Sequence, residues 1–88
     1  MALTVEIVGP DAVLWSGQAK SVSAPSVEGS IGLRPQHEPI LSVLRDGEVV
    51  VVDLNDEHTS IHVGGGFLSF DHDSVTVVVD GTAERTDA

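Results

Sequence analysis

Several short stretches of the sequence contain residue types that could do chemistry. His58 and His62 are four residues apart, a spacing that on a helix would place both imidazoles on one face, as for two ligands of one zinc ion. The residues around them alternate as in a β-strand, where four residues span about 13 Å, which is too far for two ligands of one ion. We therefore predict solvent-facing sheet histidines and no bound metal.

The acidic segment 53–57 (DLNDE) resembles the start of a calcium-binding loop. Such a loop needs glycine at its sixth position and glutamate at its twelfth, but these positions are His58 and Gly64. The segment is therefore predicted to be a solvated acidic turn between two strands.

Glycine-rich segments could form a phosphate cradle at residues 64–66 or support a nucleophile at Ser30. A phosphate loop continues into a Lys-Ser/Thr pair and a helix N-terminus, whereas residues 67–69 (FLS) supply neither. The glycines around Ser30 are not spaced as in a hydrolase nucleophile turn, and no histidine stands in a matching context. We predict no catalytic residue, and a β-bulge or a close backbone approach at residues 64–66.

Composition narrows the classes of partner. The 88 residues contain 14 acidic and 4 basic side chains, which gives a formal net charge of −10. Nucleic-acid phosphates and anionic lipid headgroups would be repelled, so basic or neutral proteins are the expected partners. There is no cysteine, no signal-peptide pattern and no apolar run that could span a membrane, which predicts a cytoplasmic protein with at most an indirect membrane link.

The elements that must hold any such site are strands, because apolar residues alternate with polar ones at period two. The alternation is clear in residues 3–7 (LTVEI) and 59–63 (TSIHV), and short turn signals separate such runs. Asp46-Gly47 predicts a tight hairpin between residues 40–45 and 48–54. The sequence thus predicts an all-β sandwich over residues 1–81 and a polar C-terminal tail over residues 82–88 that frays.

The segment 27–41 (VEGSIGLRPQHEPIL) is the most informative part of the sequence. It resembles a run in the epsilon subunit family of bacterial F-type ATP synthases, where Glu-Gly-x-x-Gly-x-x-Pro-x-His-x-Pro-Leu-Leu joins two strands. Three further matches fall in the family's order. Residues 14–19 resemble its early Ser-Gly strand pair, residues 64–68 its Gly-Gly-Phe-Leu element, and residues 75–85 its last sandwich strand and exit.

The resemblance implies a ten-stranded β-sandwich in a non-catalytic subunit of the central stalk. Such a subunit binds the side of the gamma subunit, sits on the c-ring and couples proton-driven rotation to ATP synthesis at the cytoplasmic face of the bacterial cell membrane. No catalytic residue, cofactor or metal is implied. The c-ring contacts are expected from Glu28, Gly29, Ser30, Gln36, His37 and Glu38, in a loop between two strands. The gamma contacts are expected from Ile40, Leu41, Ser42, Gly65, Gly66 and Phe67.

The sequence departs from the family pattern at Gln36, where glycine is usual, and at Ser30, where an acidic residue is common. The family continues into a C-terminal helical hairpin that carries its inhibitory action and its regulatory ATP site. Because the sequence ends at Ala88, we expect a sandwich without this hairpin and assign neither property to this chain. The alternative hypothesis is a free-standing β-sandwich that binds a ligand in a concave aromatic or polar site, which the sequence does not supply.

Overall fold

The computed structural model describes residues 2–80 and, for the backbone only, residues 83–87. These residues form strands and turns without a helix, and none of them belongs to a helix that could cross a membrane. The strands are β1 (Leu3–Val8), β2 (Val13–Ser26), β3 (Gly29–Leu33), β4 (Ile40–Leu44), β5 (Gly47–Asp53), β6 (His58–Val63), β7 (Gly66–Asp71), β8 (Ser74–Val79) and β9 (Ala83–Asp87).

The strands form two layers that share one long strand. The first layer has the order β4-β7-β8-β1, and β1 continues it by pairing with the first half of β2. The second layer has the order β2-β5-β6-β9, and β3 pairs with the second half of β2. All adjacent strands are antiparallel except β1 and β8, which are parallel. The predicted all-β sandwich is confirmed.

Strand β2 explains the strand count. It has 14 residues, of which those from Val13 to Ala19 pair with β1 and those from Ala19 to Ser23 pair with β5. Nine strands lie within the described residues, against the ten that the resemblance implied. Counting the two halves of β2 separately gives ten, because each half belongs to a different layer.

The core lies between the layers and is built almost entirely from alternate strand residues. Leu3, Val5 and Ile7 of β1 are at most 1% exposed, while Thr4 and Glu6 between them face solvent. The same alternation in β5 to β8 completes one cluster of buried side chains from both layers, of which Phe70 is the largest. Valine and isoleucine dominate the cluster because a branched Cβ packs well on a pleated surface.

The hairpin predicted at Asp46-Gly47 is wrong. β4 and β5 do not pair with each other: β4 pairs with β7 in the first layer, and β5 pairs with β2 and β6 in the second. A tight Asp-Gly hairpin turn needs positive φ at both residues, and neither Asp46 nor Gly47 has it. Glycine is required at position 47 for another reason, since an added Cβ would lie 2.9 Å from Pro25. The chain changes layers here.

The segment 28–38 is not one loop, contrary to the expectation from the resemblance. β3 occupies its centre and pairs with β2, with Ser26 opposite Gly29 and Val22 opposite Leu33. The β2–β3 turn at residues 27–28 and the β3–β4 loop at residues 34–39 therefore lie at opposite ends of β3, roughly 16 Å apart at the rise of a strand.

Strand pairing also extends into the segment predicted as a polar tail. β9 (Ala83–Asp87) pairs antiparallel with β6, with Ile61 opposite Arg85. The physical reason is that β6 would otherwise leave a row of backbone N–H and C=O groups unpaired at the sheet edge. The division of the chain at residue 81 into domain and tail stays a prediction.

The glycine run ends where the backbones of neighbouring strands approach each other closely. Gly66 has a φ of 141° and stands opposite both Leu44 and Val79. A Cβ at position 66 would overlap the Val78 carbonyl oxygen and crowd the Val79 backbone. Only glycine therefore lets β7 begin between β4 and β8.

Replacing Gly66 by alanine tests this approach. Gly66→Ala is expected to lower the free energy of unfolding by at least about 2 kcal/mol, because a strained φ is combined with a backbone collision. Gly32→Ala is the control, since a Cβ there meets nothing within 4 Å. It should change the free energy by less than about 1 kcal/mol in either direction. Urea unfolding measures both, and similar values for the two variants would contradict the account.

Candidate functional site

A row of apolar side chains crosses the outer face of the first layer. Val43, Phe67, Val78 and Val8 are successive register partners on β4, β7, β8 and β1, and Val13 on β2 stands opposite Val8. Val43, Phe67, Val78 and Val13 are each about half exposed, at 47%, 55%, 47% and 54%. We call these five residues the apolar row.

The apolar row exists because strand alternation places apolar residues on both faces of this layer. Leu68 and Phe70 of β7 fill the core, so the preceding residue Phe67 faces outward. In β8, Val78 takes the outward position between the buried Val77 and Val79. A contiguous apolar patch on a small domain marks a surface that another molecule covers, because its exposure to water is unfavourable.

The predicted gamma-contact residues divide into outward and inward groups. Phe67 belongs to the apolar row, and Leu41, one outward position along β4 from Val43, is 76% exposed. Ile40 packs against the core from the inner face. Ser42 is 8% exposed, and its hydroxyl shares a 3.0 Å hydrogen bond with that of Ser26.

The remaining two predicted gamma-contact residues, Gly65 and Gly66, are buried and shape the backbone. Both have φ near 140°, and the carbonyl of Gly65 accepts a 3.3 Å hydrogen bond from the N–H of Asp80. They hold the start of β7 beside the apolar row. Because they have no side chains, these two glycines contribute to this region only through the path of their backbone.

The first group of predicted c-ring residues, Glu28, Gly29 and Ser30, lies at the β2–β3 turn and is exposed. The N–H of Glu28 donates to the Ser26 hydroxyl at 3.1 Å, which fixes the turn. The N–H of Val27 donates to the carbonyl of Val43 at 3.0 Å, and Val27 is itself 60% exposed. The turn is therefore joined directly to one end of the apolar row.

The second group, Gln36, His37 and Glu38, lies in the β3–β4 loop at the other end of β3. The N–H of Gln36 donates to Asp73 Oδ1 at 2.6 Å, which ties the loop to the β7–β8 turn. His37 Nδ1 is 2.7 Å from the Glu38 carbonyl oxygen, and its ring meets that of Phe70 edge-on at 5.5 Å. The structure does not bring these residues together with those at Glu28.

Two other chemical candidates of the sequence, the acidic segment 53–57 and His62, have structural partners. Asp53 Oδ1 accepts hydrogen bonds from the N–H groups of Asn55 at 2.8 Å and Glu57 at 3.0 Å, so the acidic segment is the predicted turn. His62 Nε2 lies 3.0 Å from Asp46 Oδ1, and both side chains are more than half exposed. Within the part of the chain that the structure describes, no three potential ligands cluster as for a metal ion.

The described residues thus form an all-β sandwich with an apolar row, a surface of the kind that partner proteins cover. The chain belongs to the family of the ATP synthase delta/epsilon chain β-sandwich domain, whose model matches residues 2–86. This membership supports the prediction of a non-catalytic subunit rather than an enzyme.

Curated relatives give the same assignment. The chain is 48% identical over 75 residues to the ATP synthase epsilon chain of Micrococcus luteus and covers 82% of it. It is 42% identical over 85 residues to that of Alkalilimnicola ehrlichii and 41% identical over 87 residues to that of Synechococcus elongatus. The matched part spans only 61% and 62% of the last two proteins.

Solved structures share the fold at low sequence identity. One is a chain of the Euglena gracilis mitochondrial ATP synthase, from a structure of OSCP, F1 and c-ring, which superposes with a TM-score of 0.86 at 16% sequence identity. The superposition covers 98% of the present chain and 53% of the Euglena chain. A chain from the central stalk and c-ring of the Tetrahymena thermophila mitochondrial enzyme gives a TM-score of 0.75 at 13% identity, covering 96% of this chain and 66% of its own length.

Sequence reasoning missed most of the apolar row. Of its five members, only Phe67 was predicted as a contact. One signal was present: the run 75–79 (VTVVV) has valine at position 78, where alternation calls for a polar residue. Val8, Val13 and Val43 lie on other strands. They can be recognised as members of the row only when the strand register is known.

The two faces of β7 should respond differently to truncation. Phe67→Ala is expected to lower the free energy of unfolding of the isolated chain by less than about 1 kcal/mol, because the side chain is half exposed. Leu68→Ala, at the next position but fully buried, should cost about 2–5 kcal/mol. Urea unfolding compares the two variants. A large loss for Phe67→Ala would mean that the apolar row is part of the core.

Proposed function

We propose that this chain is the β-sandwich part of a non-catalytic central-stalk subunit of an F-type ATP synthase, which binds the gamma subunit and the c-ring. In this role it couples proton-driven rotation to ATP synthesis at the cytoplasmic face of a bacterial membrane, which it contacts only through the complex. Family membership over residues 2–86 is the observation that carries the proposal. The chain covers under two thirds of most of the relatives above, so these partners are inferred from the family.

The apolar row is the surface that we assign to the gamma subunit. An exposed Phe between valines of the neighbouring strands offers rigid apolar area, which contributes most at the centre of an interface. Leu41 and Val27 extend the same surface at its β4 end. A partner that covers this surface excludes water from it. The removal of apolar area from water then contributes favourably to the free energy of binding.

The β2–β3 turn is the surface that we assign to the c-ring. Its backbone is fixed by the Ser26 hydroxyl and by Val43, so Glu28 is presented on a rigid support. A carboxylate in such a turn can accept hydrogen bonds from arginine or lysine of a partner loop. Because this turn adjoins the apolar row, both partners can be held by one end of the sandwich.

The gamma assignment is tested with a polar replacement in the apolar row. Phe67→Ser is expected to weaken binding of the isolated chain to its cognate gamma subunit by at least about tenfold, because a central apolar contact is lost. Leu54→Ser is the matched control, since Leu54 is 47% exposed on the β5–β6 turn, away from the row. Calorimetric titration measures both affinities. Equal affinities for the two variants would remove the row from the interface.

The c-ring assignment is tested at the two ends of β3 separately. Glu28→Gln in the reconstituted complex is expected to lower proton-driven ATP synthesis several-fold while leaving the thermal midpoint of the free domain unchanged, because an exposed carboxylate contributes little to folding. Glu57→Gln, with the same loss of charge on the β5–β6 turn, is the control.

The variant His37→Gln tests whether the β3–β4 loop, at the other end of β3, also contacts the c-ring. If it lowers the thermal midpoint by several degrees, the ring is a support for Phe70 rather than a contact. If it lowers synthesis without changing the midpoint, the β3–β4 loop also meets a partner. Wild-type synthesis in Glu28→Gln would contradict the assignment of the β2–β3 turn.

A further inference from the structure

A cleft of about 510 Å³ opens on the outer face of the second layer, away from the apolar row. It lies where β2 and β3 meet the β3–β4 loop, and its polar lining residues are Ser21, Ser23, Arg34, Gln36 and His37. Its volume is within the range of small-ligand sites, roughly 300–1,000 Å³. Of the residues expected to contact the c-ring, Gln36 and His37 line the cleft, whereas Glu28, Gly29 and Ser30 do not.

The register explains why the cleft is open. Ser23 of β2 and Gly32 of β3 are directly opposite each other, and Ser21 and Arg34 follow at the same end of the strand pair, one residue beyond the pair of Val22 and Leu33. Gly32 has no side chain, and a Cβ there would meet nothing within 4 Å. The missing side chain leaves a gap, with Arg34 and the two serine hydroxyls at its border.

Arg34 differs from the other cations in residues 2–80. Lys20 is ion-paired with Asp56 at 2.7 Å, and the Arg45 guanidinium donates to the carbonyl oxygens of Ser26 and Asp46. The Arg34 guanidinium has neither an ion pair nor a hydrogen bond with any residue that the structure describes. In a chain of net charge −10, an arginine that pairs with none of the acidic side chains that the structure describes is an available anion-binding group.

The donors in the cleft suit a carboxylate better than a phosphate. Phosphate sites usually add converging backbone N–H groups to the cation. Here the N–H of Gln36 donates to Asp73 and the N–H of His37 donates to the Arg34 carbonyl, so these groups are already used. A planar guanidinium matches a carboxylate through two parallel hydrogen bonds and needs no further backbone donors.

We propose that this cleft binds a carboxylate group, held by the Arg34 guanidinium with hydroxyl donors from Ser21 and Ser23. The carboxylate belongs either to a small free acid or to an acidic side chain of a partner protein, and the chemistry at Arg34 is the same for both. The inference concerns the isolated chain, so it holds or fails independently of the assignments to gamma and the c-ring.

The first test titrates the isotope-labelled chain with succinate and with inorganic phosphate and follows the Arg34 Nε–Hε signal and the amides of residues 21, 23 and 32 by NMR. Succinate is expected to shift these signals with a dissociation constant in the millimolar range, and phosphate should bind more weakly. Phosphate binding equal to or tighter than succinate binding would overturn the choice of ligand. Equal small shifts at Lys20, Arg34 and Arg45 would show non-specific screening and overturn the site.

Two variants and a control make the test specific. Arg34→Gln should weaken succinate binding by at least about tenfold, because charged hydrogen bonds are lost. Gly32→Val should abolish it by filling the cleft without lowering the thermal midpoint, since the space is open. Lys20→Gln removes the same charge elsewhere and should bind as the wild type does. Unchanged binding in Gly32→Val, or equal weakening in Lys20→Gln, would overturn the proposal.

The source of the carboxylate is distinguished by arginine modification with phenylglyoxal, read by peptide mass spectrometry. Succinate should protect Arg34 in the isolated chain and leave Arg45 reactive; absence of protection contradicts the proposal. If Arg34 is also protected in the assembled ATP synthase without added acid, the carboxylate is supplied by a partner subunit. If protection in the complex still requires succinate, the ligand is a small acid.

Discussion

The whole sandwich depends on one strand that serves two sheets. β2 pairs with β1 through its first half, and with β3 and β5 through its second half. This continuity sets the relative position of the two layers, because no other strand is shared so extensively. Ala19, at the change of partners, is fully buried and small, which lets the two layers come together there. Both the β2–β3 turn and the cleft take their positions from the second half of this strand.

Strand type was predictable from the sequence, but strand pairing was not. Alternation in residues 3–7 and 59–63 correctly indicated one buried and one exposed face. The same reasoning placed a hairpin at Asp46-Gly47, because an Asp-Gly pair is favoured where both residues have positive φ. The glycine is required instead by the approach of Pro25, which is distant in sequence. A turn with positive φ at two residues does occur at His72 and Asp73, without any glycine.

Contact residues were predictable only in part, for a geometric reason. The family resemblance identified the exposed Leu41 and Glu28, but it also gave Ser42 as a contact, and Ser42 is turned inward to share a hydrogen bond with Ser26. A family motif contains residues needed for folding together with residues needed for contact, and only the direction of each side chain separates them. Val8, Val43 and Val78 form a line across three separate strands, so no short stretch of sequence contains the row.

The edge formed by β3 has a consequence for how the free protein behaves in solution. An edge strand exposes backbone groups that can template the addition of a further chain, and long, flat edges are the usual starting points of fibrils. β3 has only five residues, and two of them are Gly29 and Gly32. A short strand with two glycines has little intrinsic preference for extended pairing, and the acidic surface adds mutual repulsion between copies. The short strand that borders the cleft is thus also a poor template for the addition of another copy of the chain.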